Sequence, residues 1–181
     1  MKRFLTKLKY YMAFPVIRLY RGMVYQFREF RGQLDCFYLS ELNSMYTDRA
    51  TTEYMLLCMK DVNAHIIYDD TETPDMPKIP EMTLFDGQGN CNDYSMIFLT
   101  LLKRYRPRIE ACLLSVKYLD GGHCVCAFKL PHSGMWCFVS NTGFYETSYK
   151  DLYSVAFKVN FCWDFYVAYD DKLKIKEIKF K

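Results

Sequence analysis

Histidine is scarce in this chain. Only His65, His123 and His132 occur among its 181 residues, so any imidazole chemistry must come from one of these three positions. A zinc finger is excluded on spacing: Cys124-Val125-Cys126 with His123 and His132 has no second ligand pair. Strand alternation would also set Cys124 and Cys126 on the face opposite His123. No apolar run approaches the roughly 20 residues of a membrane-spanning helix. Met1 to Lys9 is basic, but Pro15, Arg18 and Arg21 interrupt the next stretch and no small-residue cleavage site appears, so no secretory leader is read. There is no internal repeat and no low-complexity tract. The eight cysteines lack the regular spacing of a disulfide framework, and Cys58, Cys112, Cys124, Cys126 and Cys162 lie within apolar runs. Reduced, mostly buried thiols and a cytoplasmic location are the expectation. Nothing calls for a cofactor.

The composition that is present is globular. Hydrophobic residues make up 51% and charged residues 25%, which suits one well-buried domain rather than a disordered chain. Aromatics reach 18%, with sixteen tyrosines, and favour a sheet-containing core. Charge is unevenly spread: residues 1–32 hold eight Lys and Arg against Glu29 alone, while the whole chain is only +3. A basic arm over residues 1–45 is therefore set apart from a body over 46–181. The arm suits an acidic partner, nucleic acid or an anionic surface, or else a docked helix with its cations in water.

Periodicity predicts helix over residues 3 to about 30, interrupted near Pro15 and Gly22. A second helix is predicted over 47–67, capped by Thr47 or Asp48 and carrying Tyr54, Leu57, Cys58, Val62 and Ile66 as its stripe. His65 on that helix lacks a paired acid and reads as a surface or packing residue. Residues 69–80, with Pro74, Pro77 and Pro80, read as an extended acidic loop. A helix then starts at Cys91 and ends near Tyr105, before Pro107. The period changes in the second half, where strands are predicted at 110–118, 124–130, 135–140 and 155–169. Asp120-Gly121-Gly122, Pro131 to Gly134 and Asn141-Thr142-Gly143 form the turns, and 172–181 reads as an edge strand. Helices before antiparallel strands make the class α+β.

Asp86-Gly87-Gln88-Gly89-Asn90-Cys91-Asn92-Asp93-Tyr94-Ser95 is the stretch with chemical content. It places a thiol at the start of an apolar helix, where unpaired N–H groups and the helix dipole favour thiolate. Asp93 reads as a first-turn dipole partner. His123 opens a strand immediately after Gly121-Gly122 and could pair with the thiol. One strand later, Ser140-Asn141 lies where a group that orients the imidazole is wanted. Neighbours on a strand point to opposite faces, so only one of the two can face His123. For the oxyanion, the Cys91 N–H is a natural donor, and Gln88 and Asn90 are nearby amides. His132, in a proline-containing turn, reads as exposed.

The order of these pieces resembles the transglutaminase-like branch of the papain-like cysteine enzymes, especially the bacterial transglutaminase-like cysteine peptidases. The matching residues are Val62-Asn63, Ile67-Tyr68-Asp69-Asp70, Ile79-Pro80-Glu81-Met82-Thr83-Leu84, Gly89-Asn90-Cys91-Asn92-Asp93-Tyr94-Ser95, His123-Cys124-Val125-Cys126-Ala127 and Trp136-Cys137-Phe138-Val139-Ser140-Asn141. They span roughly residues 60–152. The resemblance implies a papain-like core in which a catalytic helix packs against a C-terminal antiparallel sheet. It implies a Cys91–His123–(Asn141 or Ser140) constellation, with Gln88, Asn90 and Asn92 lining the substrate or oxyanion site. The implied activity is peptide or amide hydrolysis through a thioester, on a protein or peptide substrate. A lysine amine as acceptor would instead make a transglutaminase, and a decayed site would leave a binding module docking through the basic arm. Two departures stand out. Asn90 and Asn92 replace the acidic residues that bind calcium in some members, and Ser140 replaces the usual aspartate.

Overall fold

The computed structural model describes residues 47–70, 77–141 and 143–181. The basic arm and its expected helices lie outside the described residues. The first described helix, α1 (Asp48–His65), starts where the Thr47 side chain accepts from the Ala50 N–H. After β1 (Ile67–Tyr68) come α2 (Pro80–Asp86), β2 (Gln88–Gly89) and α3 (Cys91–Tyr105). The sheet comes next as β3 (Ala111–Tyr118), β4 (Gly121–Lys129), β5 (Trp136–Ser140), β6 (Gly143–Tyr149), then α4 (Leu152–Val159), β7 (Phe165–Tyr169) and β8 (Ile175–Phe180).

Six antiparallel strands run in the order β6-β5-β4-β3-β7-β8, and the class is α+β. The central strands are covered on both faces, which explains why their sequences read as apolar runs rather than as alternation. Cys124, Cys126 and Phe128 of β4 pack with Leu113 of β3 in the same cluster as Tyr94, Ile97, Phe98 and Leu101 of α3. The intervening Val125 and Ala127 join Cys112, Leu114 and Val116 in a second cluster with Val155 and Ala156 of α4. Behind α3 lies α1, where the buried Tyr54 hydroxyl donates to the Leu101 carbonyl at 3.0 Å. At the sheet's edge, as expected, stands β8, paired only with β7 and carrying Lys176 and Lys179.

Two expectations need correction, and one strand had not been assigned. Residues 155–169 are not one strand: Asp151 accepts from the Ser154 N–H at 2.8 Å and caps α4. Leu152, Val155, Ala156 and Val159 then form a helical stripe on the sheet; β-rich composition lost to a cap and a surface waiting to be covered. The prolines after residue 73 do not keep the whole loop extended either. Pro80 occupies the first turn of α2, where its missing N–H costs nothing, and the helix stops at Gly87 with φ 69°. The strand expected to end at Ser140 ends there and the chain turns as expected, but Gly143–Tyr149, not assigned to a strand from sequence, pairs back on it as β6. Among the described residues, no helix is long and apolar enough to cross a membrane.

Candidate active site

The site forms where the N-terminus of α3 meets an open stretch of β4. Short-range polar contacts build that helix start. Asn90 accepts the N–H groups of Asn92 (2.9 Å) and Asp93 (3.4 Å), while Asp93 accepts the Asn90 N–H at 3.1 Å. This reciprocal capping box satisfies donors the helix would otherwise leave unpaired. Asp93 is fully buried and also accepts the Lys78 N–H, tying the preceding loop to the helix. Close approach requires glycine at 89, since an added Cβ would lie 2.7 Å from Thr83 Cγ2 and 2.8 Å from Asp93 Cβ. Cys91 is thereby fixed as the first residue of α3.

The β4–β5 ladder runs from Lys129↔Trp136 to Cys126↔Val139 and goes no further. Beyond it, the backbone of Cys124 is served by α3 instead. The Ser95 hydroxyl donates to the Cys124 carbonyl at 2.9 Å, and the Cys91 sulfur lies within hydrogen-bonding reach of the Cys124 N–H. The thiol thus sits along the edge of β4, beside the residue after His123. Register puts His123 opposite Val116, on the α4 face of the sheet, and alternation puts Ser140 there with Phe138. His123 Nε2 and Ser140 Oγ are 2.6 Å apart. If the serine oxygen accepts from Nε2–H, Nδ1 is left as the basic nitrogen.

Asn141 goes elsewhere. At φ 47° it turns the chain out of β5, and its side chain comes within hydrogen-bonding reach of the Tyr68 hydroxyl. Of the two neighbours, Ser140 meets the imidazole and Asn141 meets a tyrosine. Tyr68 reaches the site because β1 pairs in parallel with β2, setting Tyr68 against Gly89. Its ring packs on Tyr94 at 5.9 Å between centroids.

No protein-family model matches the chain, and no curated protein sequence matches it. What the site can do must come from its own groups.

Burial pushes the Cys91 thiol above its ordinary value, against the N–H groups of Cys124 and Asn92 and the Lys117 ammonium, which pull it down. Burial alone holds the His123 imidazole below its usual value. Both shifts favour the uncharged forms, thiol at Cys91 and imidazole at His123. This corrects the expectation that the helix terminus would hold a thiolate: desolvation of the sulfur outweighs the donors around it.

The other candidates divide. The Asn90 side-chain oxygen is committed to the cap, and Asn92 contributes its N–H toward the Cys91 sulfur. Gln88, offered by the sequence as an oxyanion donor, is exposed on β2. His65 is exposed and bonded to the Asp61 carbonyl at 2.8 Å, and His132 is exposed. Among the described residues, no three His, Cys, Asp or Glu side chains converge on a metal position. Sequence reasoning quoted Tyr68 and Ser95 within matching motifs without giving either a role, and did not single out Lys117. Gly122 was the available signal for the last: Lys117 Cδ lies 2.6 Å from where a Cβ on Gly122 would stand, so the lysine stem crosses that glycine.

Proposed function

We propose that the chain is a cysteine-nucleophile hydrolase with a papain-like, transglutaminase-related core, acting on peptide or amide bonds. One observation carries the reading. The Cys91 sulfur lies within reach of the Cys124 N–H, the residue that follows His123 in β4, and the His123 Nε2 is 2.6 Å from Ser140 Oγ. In the reaction, His123 takes the thiol proton as sulfur attacks the carbonyl carbon, acting as general base from its neutral form. The resulting imidazolium then protonates the leaving amine, and a thioester remains on Cys91. Water, activated by the same imidazole, releases the acid; a lysine amine in its place would give transamidation. Ser140 orients the ring, with less support for imidazolium than a carboxylate would give.

A second reading is a non-catalytic binding module with the same core. The raised thiol pKa and Ser140 in the orienting position favour it. Mixing the protein with p-nitrophenyl acetate separates the two. The enzyme reading expects a stoichiometric p-nitrophenol burst with the acetyl group on Cys91 by mass spectrometry, absent in Cys91→Ala. No burst, or an equal burst from Cys91→Ala, sinks it.

A further inference from the structure

We propose that the outer face of α4 is a docking surface for an anionic lipid bilayer. The proposal is independent of the cysteine chemistry.

This short helix is apolar on both sides. Val155 and Ala156 are fully buried against the sheet, as an amphipathic helix requires. Its outward side should then be polar, and it is not. Tyr153, Phe157 and Phe161 follow one another at intervals of four and remain 40%, 49% and 68% exposed. Residues four apart on a helix are neighbours, and Phe161 extends the row two residues beyond the helix end. Tyr153 rests edge-on against the buried Trp163, 5.1 Å between ring centroids, so the row is anchored on the core. It continues into a groove of about 520 Å³ beside the end of β6, with Tyr149, Ser154, Phe157, Lys158 and Phe161 among its walls. The apolar surface is therefore one patch rather than scattered rings.

Charge identifies what this patch meets. Lys158 lines the groove, while Lys181 Nζ stands 5.6 Å from the Phe157 ring centroid and donates to the Phe161 carbonyl at 2.6 Å. Lys179 pairs with the buried Tyr166 in the β7–β8 ladder, on the side of the sheet that α4 covers. Lys150 is exposed just ahead of the helix. Against these lysines stand the exposed Asp164 and Asp151, and Asp151 is turned onto Ser154, whose N–H and hydroxyl it accepts at 2.8 and 2.6 Å. Aromatic rings at headgroup depth, with lysines reaching past them toward phosphate, form the arrangement that suits an anionic bilayer. A protein partner fits less well, because lysine is depleted from protein interfaces. The three rings also expose only on the order of 300 Å², well short of the roughly 800 Å² per partner that a stable interface buries. A second copy across a two-fold axis would set the same lysines against one another.

Co-sedimentation of the full chain with vesicles tests the proposal. Wild type is expected to bind vesicles of phosphatidylserine and phosphatidylcholine in equal amounts, and phosphatidylcholine alone at least about tenfold more weakly. Phe157→Ser combined with Phe161→Ser should weaken binding to the mixed vesicles at least about tenfold, through lost apolar burial. Lys158→Gln should weaken it about fivefold, the scale of one lysine near a charged surface. Phe161→Trp alters an exposed position and keeps an aromatic ring there; its emission should shift to the blue, relative to wild type, when mixed vesicles are added. Undiminished binding of the double variant overturns the proposal and leaves the basic residues 1–32 as the vesicle contact. Absence of wild-type binding, equal binding to both vesicle types, or no blue shift in Phe161→Trp overturns it as well. Dimerisation of the wild type in sedimentation velocity, lost in the double variant, would make a second copy the occupant and overturn it too.

Discussion

The two halves of β4 have opposite fates. Over residues 126–129 the strand is paired on both sides, by β3 and β5. There Cys126 and Phe128 are fully buried, and burial raises the Cys126 thiol far beyond useful ionisation. Over residues 121–125 the β5 partner is gone, and the free edge accepts the start of α3. The thiol that meets this edge, Cys91, is only half-buried and has backbone donors and a lysine around it. A cysteine beside an open strand edge can be chemically addressed; one inside a closed ladder is packing material.

Removing the base at the open half should have the largest effect. His123→Ala is expected to slow Cys91 acylation by roughly 100- to 10,000-fold, the range of general-base assistance, measured by stopped-flow release of p-nitrophenol. An unchanged rate would mean the two halves of the strand do not differ in the way described. Phe128→Ala probes the closed half. It should cost about 3–5 kcal/mol of unfolding free energy in urea titrations, while acylation measured on the folded fraction stays near wild type.

Next is the helix start that brings the thiol to the edge. Asn90→Ala removes one side of the capping box and should destabilise by about 1 kcal/mol, read from the same titrations. A loss of acylation larger than the loss of stability would show that the cap also positions Cys91.

The smallest effect is in pH. The folded protein holds His123 neutral below its usual value near 6.5, so the imidazole remains a competent base on the acid side of that pH. The acid limb of the acylation profile should therefore fall below about pH 6.5. The unfolded chain binds a proton at His123 before the folded one does. This site's contribution therefore leaves stability unchanged above the unfolded pKa and lowers it as pH falls toward the folded value. His123→Gln should flatten that decline in pH-dependent melts. Ser140→Asp should move the acid limb of acylation upward, because a carboxylate favours imidazolium.

Much of the frame was legible because its signals are local. Tyr105 before Arg106-Pro107, and Asn90 with Asp93 three residues on, bounded α3 where the structure has it. The glycine-containing turns announced the β3–β4 and β4–β5 hairpins. The helical stripe of α4 was hidden by residues that suit strands, Tyr153, Val155 and Phe157, and became helical because Asp151 caps it and the second face of the sheet receives it. The pairing of β1 with β2 was out of reach, since two-residue strands carry no period and their partners are about 20 residues apart. Tyr68 stood in a quoted motif, but its place beside Gly89 was unreadable for the same reason. The choice between Ser140 and Asn141 was framed correctly by alternation, but its answer needed the register of β5 against β4.

By itself, the chain determined which groups stand next to one another over a few residues: a capped helix opening on Cys91, a histidine after two glycines, and a tight turn at Asn141. Tertiary structure alone decided that β5 leaves β4 beyond Cys126, that the Cys91 sulfur comes within reach of the Cys124 N–H, and that Ser140 rather than Asn141 meets the His123 ring. It also decided the charge state of the thiol. A helix terminus favours thiolate through neighbours that can be read from sequence, but desolvation depends on everything packed around the sulfur, and here the packing prevails.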